Sequence, residues 1–166
     1  ADRLIPRVRA LRPQLIWVYP DKGSFSASLT GALCDAGTDA VILEADERRR
    51  MPQEIAEMVV EGIFCKLREM GIWTGEAQNA PTQSEAIPTV LSQEDVCRVA
   101  CEYPGVYVPE DFLGTHVQAG QVLGTVIDAL EGVAREEIKA PCSGLVFSQR
   151  SYSAVYPGTL IARIRK

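Results

Sequence analysis

Few side chains in this sequence could do chemistry, and Glu44 is the best placed of them. It closes the run Ala40-Val41-Ile42-Leu43, four apolar residues, two of them β-branched, which predict a short buried strand. In α/β folds, reactive groups gather at the carboxyl ends of parallel strands. A carboxylate held there can take a proton from water and return it to a leaving group. The plainer alternative is a solvated strand-end charge. Close behind, Arg48-Arg49-Arg50 offers guanidinium forks for a substrate carboxylate, or is simply a charged surface loop. His116 is the only histidine, and its setting, Gly114-Thr115-His116-Val117, reads as a surface turn. Tyr103, Tyr107, Tyr152 and Tyr156 could reach a site, but tyrosines so placed more often pack a core edge with the hydroxyl in water.

A catalytic zinc normally takes three protein ligands, usually including more than one histidine. One histidine is too few, so no metal ligand is assigned to this chain. The five cysteines (Cys34, Cys65, Cys97, Cys101, Cys142) include no Cys-x-x-Cys pair. Cys34 and Cys65 fall inside predicted helices, and Cys97 and Cys101 share one face of a predicted strand. The pattern reads as reduced, buried thiols of a cytoplasmic protein rather than a disulfide framework.

The elements that must position these groups can be taken in order. Leu15-Ile16-Trp17-Val18-Tyr19 predicts a strand ended by Pro20. Ser24 offers an N-cap for a helix over Phe25–Ala36, stopped by Gly37. The strand Ala40–Leu43 and a charged loop, Glu44 to Arg50, come next. Pro52 suits the first position of a second helix, on which Ile55, Met58, Val59, Gly62, Ile63, Leu67 and Met70 keep helical spacing up to Gly71. This β-α-β-α order implies a parallel sheet with crossover helices. Two strands are too few for such a sheet, so residues 1–73 read as the C-terminal part of a larger α/β domain. The chain also begins at Ala1, which suggests an excised piece. Residues 74–92 read as a linker.

Residues 93–166 predict short strands and glycine turns, organised by an internal repeat. Val117-x-x-Gly120-x-x-Leu123-x-x-Val126 recurs as Val155-x-x-Gly158-x-x-Ile161-x-x-Ile164, an offset of 38 residues (117 to 155). Each half reads as strand, turn, strand, and two halves burying one core make a flattened β barrel or sandwich. The chain is long enough for one domain or two small ones, with 46% apolar residues and a net charge of -5. That charge argues against a general nucleic-acid surface. No apolar run is long enough to enter a membrane.

The repeat, centred on Ile138-Lys139-Ala140-Pro141-Cys142-Ser143-Gly144-Leu145-Val146, resembles the barrel-sandwich of biotinyl and lipoyl domains. Those domains carry a modified lysine on the hairpin between the halves. Here Gly132-Val133-Ala134-Arg135 stands in that place, and Lys139 lies inside a predicted strand, so neither modification is expected. From about Phe25 to Ile164 the chain looks more like the C-terminal portion of the succinylglutamate desuccinylase/aspartoacylase family. These are zinc-dependent deacylases with a carboxypeptidase-like α/β domain, of parallel or mixed sheet, followed by such a barrel. Val41-Ile42-Leu43-Glu44 resembles the family's strand ending in the catalytic glutamate. Gly114-x-x-Val117-x-x-Gly120-Gln121-x-Leu123-Gly124, then Ala140-Pro141-x-x-Gly144, resembles its barrel signature. Ala45-Asp46 follow the glutamate where the family often has glycine. The family's His-x-x-Glu and later His, and its substrate-gripping Asn-Arg pair, have no counterpart here.

The resemblance implies a Zn2+-dependent hydrolase of N-acyl amino acids or similar small amides. In it zinc polarises the carbonyl and Glu44 acts as base, while this portion alone is inactive. The competing expectation is a non-catalytic β-barrel binding or oligomerisation module in which Glu44 is incidental. An unfinished sheet leaves an edge exposed, so homo-oligomerisation through residues 15–44 is expected in either case. The zinc ligands being absent, the purified chain should carry no stoichiometric zinc by atomic absorption. Tightly bound zinc at one per chain would contradict that reading.

Overall fold

The structure, a computed structural model, describes residues 4–9, 11, 13–19, 27–45, 52–75 and 87–166, and divides into two units, Ala1–Gln93 and Glu94–Lys166. The described residues of the first unit form three helices, α1 (Ile5–Arg9), α2 (Leu29–Asp35) and α3 (Gln53–Glu69), and two strands, β1 (Leu15–Trp17) and β2 (Thr89–Leu91). Ser28 caps α2: its hydroxyl accepts from the Gly31 N–H at 3.1 Å. The predicted helix over Phe25–Ala36 therefore starts at Leu29. Its predicted cap, Ser24, lies outside the described residues. Both helix stops are as expected, with Gly37 and Gly71 at φ 82° and 70°. In α3, Glu54 occupies the first turn and Lys66 and Arg68 the last, where each charge suits the helix dipole. Pro52 stands at the cap, one place before the first helical residue.

β1 pairs in parallel with β2, Leu15 opposite Thr89 and Trp17 opposite Leu91. Two expectations change here. Ala40–Leu43 is not a strand, and Val41 and Ile42 are about half exposed (49% and 50%). A run of apolar residues becomes a strand only where a sheet pairs and covers it, and the described residues supply no such pairing. The partner of β1 instead comes from Thr89–Leu91, inside the stretch 74–92 read as linker. Residues 76–86 of that stretch lie outside the described residues. The apolar stripe expected on α3 is likewise uncovered at Ile63 and Met70, and Gly62 is its only buried residue.

The second unit has eight strands: β3 (Val96–Ala100), β4 (Gly105–Pro109), β5 (His116–Val117), β6 (Val122–Ile127), β7 (Ala134–Lys139), β8 (Gly144–Gln149), β9 (Ala154–Val155) and β10 (Leu160–Arg165). They form two antiparallel four-stranded sheets, β3-β10-β8-β5 and β7-β6-β4-β9. Of the flattened barrel or sandwich predicted, the described residues show a pair of open sheets and no closed barrel. The repeat explains the order. A shift of 38 residues carries β5 onto β9 (116 to 154) and β6 onto β10 (122 to 160), and places β3 on β7 and β4 on β8. Each half supplies four strands rather than the two expected, and each sheet takes two strands from each half.

One core lies between these strands. Leu123 and Val126 of β6, Val146 of β8, and Ile161 and Ile164 of β10 are buried completely or nearly so. β6 and β10 have the same burial sequence position by position. The turns before them repeat as well. The Gly120 N–H donates to the Ala140 carbonyl and the Gly158 N–H to the Cys101 carbonyl, each at 2.8 Å. These glycines sit at φ 84° and 82°, where a side chain is strained. A Cβ at Gly158 would meet nothing within 4 Å, so only the backbone conformation opposes substitution. Gly158→Ala should therefore cost about 1 kcal/mol. The cost should appear in urea unfolding as a lower midpoint at unchanged slope, with Gly158→Asn recovering part of the loss.

Candidate functional site

Glu44 lies in the irregular segment 38–45 that follows α2. The Arg7 guanidinium of α1 donates to the Asp39 carboxylate at 2.9 Å and ties the start of this segment to the helix. That pair is solvent-exposed and contributes less than about 1 kcal/mol. Glu44 itself is exposed, not seated at the end of a paired strand. A carboxylate so placed can accept a proton from water, but efficient base catalysis needs a site that desolvates and orients it. Arg48, Arg49 and Arg50 lie outside the described residues. No group of three or more His, Cys, Asp or Glu side chains able to hold a metal occurs among the described residues.

The remaining sequence candidates lie in the second unit. His116 is exposed on the two-residue edge strand β5, opposite Leu145. Lys139 is exposed within β7 and paired with Glu137 at 3.1 Å, not on a hairpin tip. Tyr103, Tyr152 and Tyr156 are surface residues, Tyr152 with the Arg150 guanidinium 5.4 Å from its ring centre. Tyr107 departs from the expectation of a hydroxyl in water. It is fully buried, and its hydroxyl donates to the Leu123 carbonyl at 2.9 Å. Burial pushes its pKa above the ordinary tyrosine value. A phenol held this way anchors β4 to β6 and is not presented to a substrate.

All five cysteines are free thiols, but only Cys101 is fully buried. Cys97 and Cys101 do share the inward face of the β3 end, as the sequence spacing implied. Burial, reinforced by the neighbouring Cys97, pushes the Cys142 thiol up to about 11. So little thiolate at neutral pH makes it a packing residue rather than a nucleophile.

One arrangement was not anticipated. Asp128, at the end of β6, is buried and organises the hairpin to β7. Its Oδ1 accepts from the Leu130 N–H at 2.7 Å and the Glu131 N–H at 2.9 Å, and its Oδ2 pairs with Arg135. The signal was present as Asp followed four residues later by Gly132, an Asx-turn pattern. The hairpin lifts Leu130 almost entirely into solvent. The hairpin is built around an aspartate.

No protein-family profile matches the chain, and no curated protein matches its sequence. Solved structures match its fold. A succinylglutamate desuccinylase/aspartoacylase from Rhodobacter sphaeroides aligns at TM-score 0.75 and 18% identity, covering 98% of this chain and 48% of its own. A succinylglutamate desuccinylase from Silicibacter sp. TM1040 gives TM-score 0.76 at 19% identity, covering 99% and 49%. The ectoine utilization protein EutE (DoeB) from Ruegeria pomeroyi gives 0.72 at 20% identity, covering 99% and 50%. The chain thus has the fold of part of these proteins and spans about half the length of each.

The hairpin has a pH signature. Hydrogen bonds from the Glu131 and Leu130 amides, with the Arg135 charge, hold the Asp128 carboxyl below its ordinary pKa. A carboxylate with a lowered folded-state pKa stabilises the fold above its unfolded pKa, and that contribution is lost as pH falls through the folded value. Asp128→Ala should therefore destabilise the protein at pH 7. The gap from wild type should shrink only below about pH 4, the ordinary carboxylate value. Urea unfolding of both proteins across pH 2–7 measures this. A gap unchanged to pH 2 would remove the charge from the explanation.

Proposed function

We propose that this chain is the portion of a deacylase that carries the general base, acting on the amide bond of an N-acyl amino acid or a similar small amide. The observation that carries this reading is the match of 98–99% of the chain to structures named as desuccinylases and aspartoacylases, at TM-scores of 0.75 and 0.76. Glu44 is the base. Its part is to hold a water by a hydrogen bond, take its proton as the oxygen attacks the amide carbonyl, and deliver that proton to the departing amine nitrogen. The solvent-exposed position of Glu44 calls for further polypeptide to enclose it before such transfer is efficient.

Zinc, implied by the resemblance, does not fit the described residues. They hold no three-donor cluster, and the only histidine is on an edge strand of the second unit. Zinc ligands would have to come from outside the described residues. The second unit acts as an accessory barrel-sandwich module of the biotinyl/lipoyl kind, unmodified, and the assembly is a cytoplasmic homo-oligomer whose partner is the small N-acyl substrate. The non-catalytic alternative, a binding or oligomerisation module, draws support from one observation: among the described residues, nearly all the buried apolar side chains belong to the second unit.

The test uses the longer polypeptide in which this chain is joined to the segment encoded ahead of it, assayed with N-succinylglutamate and N-acetylaspartate. Glu44→Gln should lower kcat by about 10²–10⁴-fold, the usual contribution of a general base, with KM little changed. Near-normal turnover would remove Glu44 from the mechanism, and no hydrolysis of any N-acyl amino acid by the parent would remove the function.

A further inference from the structure

The two sheets of the second unit differ in charge. The strands of β3-β10-β8-β5 carry Arg98, Arg163, Arg165 and His116 and no Asp or Glu. In the other sheet, β7 alone carries Glu136 and Glu137 beside Arg135 and Lys139. In a chain with 17 Lys and Arg against 22 Asp and Glu, the first composition is a local reversal. The register sets these basic groups on one face. Ile164 of β10 is buried in the core, so its neighbours Arg163 and Arg165 point the other way. Arg98 of β3 stands directly opposite Arg163 on one side, and Ser148 of β8 stands opposite it on the other. Arg165 opposes Leu145, which in turn opposes His116.

Two arginines facing each other across antiparallel strands work against the sheet. Their Cβ atoms lie about 5 Å apart, and like charges so placed are destabilising. Arg98 is exposed and makes no ion pair among the described residues. Arg163 is half-buried, and its Nη1 donates to the Ser148 hydroxyl oxygen at 3.1 Å, which fixes the guanidinium over the sheet. As the acceptor in that bond, Ser148 keeps its own O–H to donate. We propose that Arg98, Arg163 and Ser148 form an oxyanion site on the outer face of this sheet, and that its ligand is a phosphoryl group, free or on a small monoester. An oxyanion between the two guanidinium groups replaces their repulsion with charge-assisted hydrogen bonds, and Ser148 supplies a further donor. Two facing positive charges suit a phosphoryl group, at about −1.5 to −2 near neutral pH, better than a single carboxylate. A long polyanion is disfavoured by the net charge of -5 on the chain. The site is independent of Glu44 and of the deacylase reading.

Isothermal titration of the 166-residue chain with inorganic phosphate, in chloride buffer at matched ionic strength, tests this. Saturable binding at one per chain is expected. Arg98→Gln should weaken it at least about tenfold, the loss of one charge-assisted hydrogen bond. Urea unfolding adds a readout that a merely structural arginine does not give. In chloride alone, Arg98→Gln should unfold at the same or a higher urea concentration than wild type, because the like-charge pair is gone. Added phosphate should raise the wild-type midpoint and leave that of the variant unmoved. Glycerol phosphate separates the two sources: tighter binding than inorganic phosphate assigns the site to a monoester, and equal or weaker binding to the free ion. Any of four results overturns the proposal: no saturable phosphate binding, an affinity unchanged in Arg98→Gln, a variant less stable than wild type in chloride, or tighter binding of succinate than of phosphate.

Discussion

Neither half of the 38-residue repeat can bury its own apolar face. The second unit depends on that constraint, because each sheet takes two strands from each half. Leu123 and Val126 in one half and Ile161 and Ile164 in the other then meet in one core between the sheets. The mutual dependence extends to the turns. The 118–121 turn is bonded to Ala140 in the opposite half, and the 156–159 turn to Cys101. A unit closed in this way can be small and still hide a core, since every apolar strand face has a partner within it.

The first unit shows the opposite case. Its helices are well specified locally: Ser28 caps α2, glycines end α2 and α3, and Arg68 pairs with Glu61 at 2.7 Å along α3. Local signals are enough to form helices but not to hide their apolar faces, which takes tertiary cover. The same deficit accounts for Glu44. A carboxylate is tuned for catalysis by the environment packed around it, and at this position the chain provides little.

Polar groups divide along the same line. In the second unit two buried polar groups are satisfied and structural, the Tyr107 hydroxyl on the Leu123 carbonyl and Asp128 on the hairpin amides. Buried polar groups left unpaired are costly, so those retained in a dense core are kept bonded. None of these groups is available to a substrate. Accessible chemistry-bearing side chains lie on both units, Glu44 on the first and His116 and Lys139 on the second.

Much of the second unit was legible in the sequence, because its repeat writes turn glycines and inward-facing apolar residues at fixed spacing. Val117 with Val155 and Gly120 with Gly158 could be paired before any strand was placed. The sequence did not disclose that each half has four strands, nor that they form two open sheets, since two-residue strands such as β5 leave no periodic trace. Helix stops at Gly37 and Gly71 were readable as local backbone chemistry. What only the tertiary structure decided was the pairing of β1. Val41–Leu43 and Thr89–Leu91 are comparable as short apolar segments, and a strand exists only where another backbone meets it. The residue type at Glu44 was therefore determined by the sequence, but its setting was not, because that setting is a property of what packs around it.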